Sequence, residues 1–333
     1  MGIENFYQYK ARLSDELNTV EILPLIHSAN DIHVDLPSLT YGAITRAMKH
    51  DIDHPFAATP RLNVLPRIIA SDIDRIFGPT AREVIVFHID GADCAEKQRA
   101  RRIRGTRVTN AVTAANKTLP AINQTKKPPS KSKEAEFKKH VLKTFRFEPS
   151  LKTWLATSLT ALGFRVHQCA FEADVCIAAT LAASVSRGER IAISADSDFQ
   201  IYAGIPTVIR PLDRCCSLWA RYNKEDVLGE FKFTHPEQMV LYGVVNRNDY
   251  DDNIPQQGLA RNRATIAGLP SSTSAPSPAL FNTLLTEYQA ATSAPVAQFA
   301  NSVRVFSTLQ QTPLAAPTVH PNQAYVDLCK RAR

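Results

Sequence analysis

The stretch "RIAISADSDFQIYAG", residues 190–204, decides how the rest of the chain is read. Ile191, Ala192 and Ile193 form a short apolar run suited to a buried strand, and two carboxylates, Asp196 and Asp198, then follow one residue apart. Phe199, Ile201 and Tyr202 return at once to core-type side chains, so the charges stand at the rim of a core. Residues two apart in extended structure share a face, which predicts that Asp196 and Asp198 look into one site.

The same ending recurs along the chain. "IHVDLP" finishes around Asp35 and "VIVFHID" finishes at Asp90. "FRVHQCA" alternates like a strand and leads into "EADVCIAATLAASV", a helix with Glu172 and Asp174 in its first turn, where the helix dipole favours acids. "PTVIRPL" reads as a further strand, and "LKTWLATSLTALGF" has helical spacing. Strands alternating with helices predict an α/β fold whose mainly parallel sheet is flanked by helices. In such sheets functional groups gather outside the carboxyl ends of the strands, which is where these acids fall. Carboxylates crowded into one small volume repel each other and lose solvation, and divalent cations resolve the conflict. Oxygen ligands alone favour Mg²⁺, with Mn²⁺ as substitute, over zinc. Two such ions, about 3.5 to 4 Å apart, are the usual arrangement for cleaving phosphodiesters.

The net charge of +7 is local. From Gly91 to Phe145 there are 14 Lys and Arg against 4 Asp and Glu, an excess of ten, so the rest of the chain carries about −3. A concentrated basic segment on a near-neutral protein points to a polyanion, most simply nucleic acid. Part of it, "TKKPPSKSKEAEFKK", equally fits a solvated, disordered loop. With 333 residues, 44% hydrophobic and 21% charged, the chain supports a sizeable core. No apolar run is long enough to span a membrane, and no signal-peptide core is present, so the expected location is intracellular. Lys126-Lys127 and Lys138-Lys139 suggest the nucleus, with the cytoplasm as the alternative. The six cysteines show no Cys-x-x-Cys pair and no zinc-type His spacing, and read as buried or incidental thiols.

Taken together, these motifs resemble the flap endonuclease or XPG-type nucleases, which have a PIN-like core. The resemblance spans roughly residues 1 to 315. It rests on "MGIENFYQYK", "VDLPSLTY", "VFHIDG", "FEADVCIAATLA", "SADSDFQIYAG" and "NDYDDNIP", which match the family's motifs in order. It implies Asp35, Asp90, Glu172, Asp174, Asp196, Asp198 and Asp249 as metal ligands, with Asp174 standing where the family usually has Glu. Lys97 and Arg104 match two basic residues at the base of the family's helical arch, expected on one helix face and aimed at the scissile phosphate. Gly2 and Tyr41 match a substrate-side N-terminus and an aromatic that stacks on a base. The family's Gly-Ile-Gly hairpin is here Gln256, Gln257 and Gly258, which leaves K⁺ binding open, with Arg261 and Arg263 available to hold duplex backbone instead.

The implied organisation is a nuclease core in two parts, 1–91 and 151–234, interrupted by a basic, partly flexible arch at 92–150. A helix-hairpin-helix-type region at 235–315 and a tail at 316–333, loosely packed over its last dozen residues, follow. The implied activity is metal-dependent hydrolysis of branched or 5′-ended nucleic acid, DNA in preference to RNA, by a monomer. No sliding-clamp motif is found in the tail. The alternative is an XPG-like binding or regulatory protein with little or no cutting.

Overall fold

The computed structural model describes residues 3–13, 18–29, 31–53, 64–123, 130–185, 188–213, 215–273, 279–312, 314, 327–328 and 331. Its strands are β1 (Thr19–Val20), β2 (Asp31–Asp35), β3 (Ile85–Ile89), β4 (Arg165–Gln168), β5 (Arg190–Ile193), β6 (Thr207–Pro211) and β7 (Trp219–Asn223). They form one sheet in the order β1-β7-β6-β5-β2-β3-β4. From β4 to β6 all pairs are parallel, while β7 and β1 are antiparallel. This is the α/β, PIN-like architecture expected, with an antiparallel edge that hydrophobic periodicity alone does not contain. A turn around Asp213 creates that edge. Its carboxylate accepts from the backbone N–H groups of Cys215, Ser217 and Leu218 and reverses the chain into β7.

Both sheet faces are covered, so the central strands are largely buried; β2 and β3 are apolar toward one side and carry the buried His33 and His88 on the other. Ile191 and Ile193 face a first core with Ile32, Val34, Phe87 and Ile89, closed by the helices Leu65–Phe77 and Pro149–Ala161. Ala192 faces a second core with Val208, Ala220, Phe199, Ile201 and Tyr202, closed by the helices Ala173–Ala183 and Pro236–Val245.

Between β3 and β4 the basic segment forms two helices, Gln98–Ile122 and Lys131–Leu142, which pack on each other. Disorder is therefore the wrong description from Lys131 onward. Ser130 caps the second helix, its side chain accepting from the Lys133 N–H at 3.4 Å, and Phe137 and Val141 bury in the first core. Residues 124–129 lie outside the described residues. Of the tail, residues 327, 328 and 331 lie among the described residues. Leu328 is buried in the first core, and the Asn123 amide donates to the Arg331 carbonyl at 2.9 Å. No helix among the described residues is long and apolar enough to cross a membrane.

Candidate active site

Strand ends place the acids. Asp35 closes β2, and Asp90 directly follows β3. Glu172 is the N-cap residue of the helix Ala173–Ala183, and Asp174 lies in that helix's first turn. The exit from β3 passes so close to the 169–170 backbone that a Cβ on Gly91 would sit 2.0 Å from the Cys169 carbonyl oxygen. A glycine is required there, and its N–H donates to the Phe171 carbonyl at 2.6 Å. Asp90 Oδ1 in turn accepts from the Ala173 N–H at 2.9 Å, so the carboxylate from β3 also caps the helix that carries Asp174.

Asp196 and Asp198 do meet at one site, but not by strand alternation. Ser197–Gln200 is a 3-10 turn, and Asp196 caps it by accepting from the Asp198 N–H at 3.3 Å. The turn drives Asp198 inward to 2% exposure. Ser194 links the rim: its hydroxyl donates to Asp35 Oδ2 at 2.8 Å and accepts from the Asp196 N–H at 3.0 Å. The N-terminal segment lies alongside, since the Ser197 hydroxyl donates to the Ile3 carbonyl at 3.3 Å.

Three of these acids are paired with cations. Lys97 Nζ is 2.6 Å from Glu172 Oε2, Arg104 is 2.5 Å from Asp249 Oδ2, and Lys152 is 3.3 Å from Asp90 Oδ2. Lys97 ends a 3-10 turn, Ala95–Lys97, just before the helix that bears Arg104, so the two reach the acids from successive elements rather than from one helix face. Lys152, on the helix Pro149–Ala161, was not anticipated, and its nearest sequence signal is a lysine within an otherwise apolar helical pattern.

The charge balance is uneven. Burial, followed by repulsion from Asp90, pushes Asp35 up to about 8 despite the Ser194 hydrogen bond. Burial likewise pushes Asp174 up to about 7, against the opposing pull of Lys97. Asp198 is raised well above the carboxylate range by burial and by Asp196 and Asp174. Burial also opposes ionisation of Glu172, yet Lys97 and Lys152 outweigh it and hold its carboxyl below the usual range. Lys97 is held well above its ordinary value because Glu172, Asp174, Asp249 and Asp90 together exceed its burial penalty.

Hard divalent cations fit this site. Its donors are carboxylate oxygens, several of which burial makes unfavourable as bare anions, and Asp198 Oδ1 is buried with no hydrogen-bond partner. The carboxylates are spread around the rim. Among the described residues, the group of potential ligand atoms lying within 4.8 Å of one another is a different one: His88, His167, Cys169 and Cys176. Residue spacing gave no sign of it.

The remaining expected residues divide. Gly2 lies outside the described residues, and Tyr41 falls within the helix Leu36–Asp53. Gly258 is the N-cap of the helix Leu259–Ala267. Gly258 and Arg261 line a cleft of about 620 Å³ together with Arg12, Gln8, Arg247 and Asn253. Arg263 is committed to the core side, donating to the Tyr9 hydroxyl at 2.9 Å.

No family model matches the chain, and no curated protein matches it. Solved structures do. The catalytic core of Rad2 in complex with DNA substrate superimposes with a TM-score of 0.56 at 14% identity, covering 96% of this chain and 90% of that one. Human GEN1 in complex with Holliday junction DNA superimposes with a TM-score of 0.50 at 13% identity, covering 97% of this chain and 71% of that one. At this level of identity what is shared is the fold. The chain has the flap endonuclease/XPG-type fold.

Proposed function

We infer that this protein is a divalent-metal-dependent nuclease that hydrolyses phosphodiester bonds in branched or 5′-ended DNA. The observation that supports this reading is the placing of Asp35 and Asp90 at the ends of β2 and β3, with Asp196 and Asp198 after β5, where Asp198 is buried and one of its oxygens is unpartnered. Asp35, Asp90, Glu172, Asp174, Asp196, Asp198 and Asp249 would hold Mg²⁺, or Mn²⁺ in its place. When bound, the cations supply Lewis-acid stabilisation of phosphate charge and lower the pKa of water.

The chain's own groups do the rest. Lys97 and Arg104 sit at the base of the helical pair, already among the acids, and in this reading they turn from Glu172 and Asp249 to the phosphate. Ser194 fixes the rotamer of Asp35, and Tyr202 donates to Asp174 Oδ2 at 3.0 Å. Tyr41 would stack on a terminal base, a contact worth about 1 to 3 kcal/mol. The helices Gln98–Ile122 and Lys131–Leu142 serve as the arch, set into a core divided at 1–91 and 151–234. The 235–315 region holds duplex backbone through Gly258 and Arg261.

One observation favours a non-cutting relative. Lysine and arginine already neutralise Asp90, Glu172 and Asp249, as they would in a site that has given up its metal. Calorimetry with Mg²⁺ and Mn²⁺ separates the two readings: the nuclease takes up metal, and Asp198→Asn loses that uptake. Cleavage across flap, nicked, bubble and single-stranded DNA, with structured RNA beside them, then assigns the substrate. No cleavage of any of these, with no carboxylate-dependent metal uptake, would leave the binding-protein reading standing.

A further inference from the structure

Three neighbouring parallel strands each place a histidine on the same sheet face. His88 of β3 is paired in register with His167 of β4, and His33 of β2 lies two residues before Asp35, the register partner of His88. Elsewhere on this face the strands present Ala192, Val208 and Ala220 to the second core. The helix Ala173–Ala183 crosses the histidines and brings Cys176 over them, while Cys169, two residues beyond His167, shares its side. The ligand atoms of His88, His167, Cys169 and Cys176 all lie within 4.8 Å of one another. Cys169 Sγ is 3.7 Å from His88 Nδ1. A tetrahedral zinc with Zn–S near 2.3 Å and Zn–N of about 2.0 to 2.1 Å sets neighbouring ligand atoms roughly 3.3 to 3.8 Å apart. Small side-chain rotations close the remaining gap.

The surroundings of His88 also match a ligand's. Its Nε2 is 2.7 Å from His33 Nδ1, and His33 Nε2 is 2.8 Å from Asp31 Oδ1. One proton assignment satisfies the chain: His88 Nε2–H donates to His33 Nδ1, and His33 Nε2–H donates to Asp31. That assignment leaves the lone pair of His88 Nδ1 directed at the cysteines, and an imidazole backed by a histidine and a carboxylate is the usual outer support of a metal-bound histidine.

We propose that His88, His167, Cys169 and Cys176 bind one structural zinc ion through donors chemically distinct from those of the carboxylate site. Four protein ligands leave no open position, which makes the site a clasp rather than a catalytic centre. The clasp has a mechanical task. β4 is a four-residue edge strand with mostly exposed side chains, so few apolar contacts hold it on the sheet. Zinc would join β3, β4 and the helix Ala173–Ala183; Asp90 directly follows β3, and Glu172 and Asp174 stand at the start of that helix. Borderline-soft sulfur and nitrogen donors prefer zinc, and oxygen donors prefer Mg²⁺, so the two metals need not compete.

The test is elemental analysis of the full-length reduced protein after dialysis against millimolar Mg²⁺. About one zinc per chain is expected. Replacement by Co²⁺ should give intense visible bands and a near-ultraviolet thiolate-to-cobalt band, which cobalt on carboxylate oxygens does not produce. His167→Ala alters an exposed ligand with little effect on packing, and should lower zinc affinity, as should Asp31→Asn by about 10- to 100-fold. Cys215→Ser, at an exposed cysteine outside the cluster, should change nothing. A zinc-free protein that fails to bind added Zn²⁺ at 1:1, and a cobalt adduct without the thiolate band, would overturn the proposal. None of these readouts uses nucleic acid, so the result stands apart from whether the protein cuts.

Discussion

Asp198 carries the tension between folding and chemistry. Its carboxyl is buried among other acids, and in the metal-free chain burial and repulsion favour the protonated form. Asn has nearly the shape of that neutral acid. Asp198→Asn should therefore keep or slightly raise the melting temperature of the metal-free protein while removing the rise that Mg²⁺ produces in wild type, and calorimetric unfolding reads both. The pH dependence follows from the same cause. The unfolded chain releases the Asp35 and Asp174 protons near pH 4, whereas the metal-free fold keeps them up to about 8 and about 7. The stability these groups provide is complete below roughly pH 4 and is lost as pH rises toward their folded values, so the metal-free melting temperature should fall across this window. Mg²⁺ should stabilise more at the alkaline end. A metal-free melting temperature that climbs with pH, with no growing Mg²⁺ increment, would show that these carboxyls are not burdened as described.

Single elements show where sequence reading succeeds and where it stops. Asp35, Asp90 and Asp196 were legible because each follows an apolar run, and a parallel sheet turns strand ends into neighbours. Lys152 was not, because its meeting with Asp90 depends on how the helix Pro149–Ala161 lies against β3. The His–Cys cluster was hidden for the same reason: its ligands come from two strands, a loop and a helix, and only the register His88↔His167 brings them together. The β3 exit offers a direct test. Gly91→Ala drives a methyl into the 169–170 backbone, and a loss of about 1 to 3 kcal/mol in denaturant unfolding is expected, with weaker Mg²⁺ binding because Asp90 is adjacent. The tail offers a second. Leu328→Ala removes a side chain buried in the first core and should cost about 2 to 5 kcal/mol, whereas a loosely packed tail would give almost no change.

Across the whole molecule the charge is divided by task. The helical pair between β3 and β4 carries the basic excess, the rim of the sheet carries the acids, and Lys97 and Arg104 stand where the two meet. Arg12 and Arg261 line the cleft near Gly258. If duplex backbone lies there, the double variant Arg12→Glu and Arg261→Glu should weaken duplex binding about tenfold or more and flatten its salt dependence, leaving affinity for single strands nearly unchanged. The central claim is chemical and has a direct measurement: the single-turnover cleavage rate of an end-labelled 5′-flap DNA with Mg²⁺ and with chelator, for wild type and Asp198→Asn. Cutting near the branch that needs Mg²⁺ and falls at least about a hundredfold in the variant is predicted. Equal traces for wild type and variant, with or without metal, would contradict it.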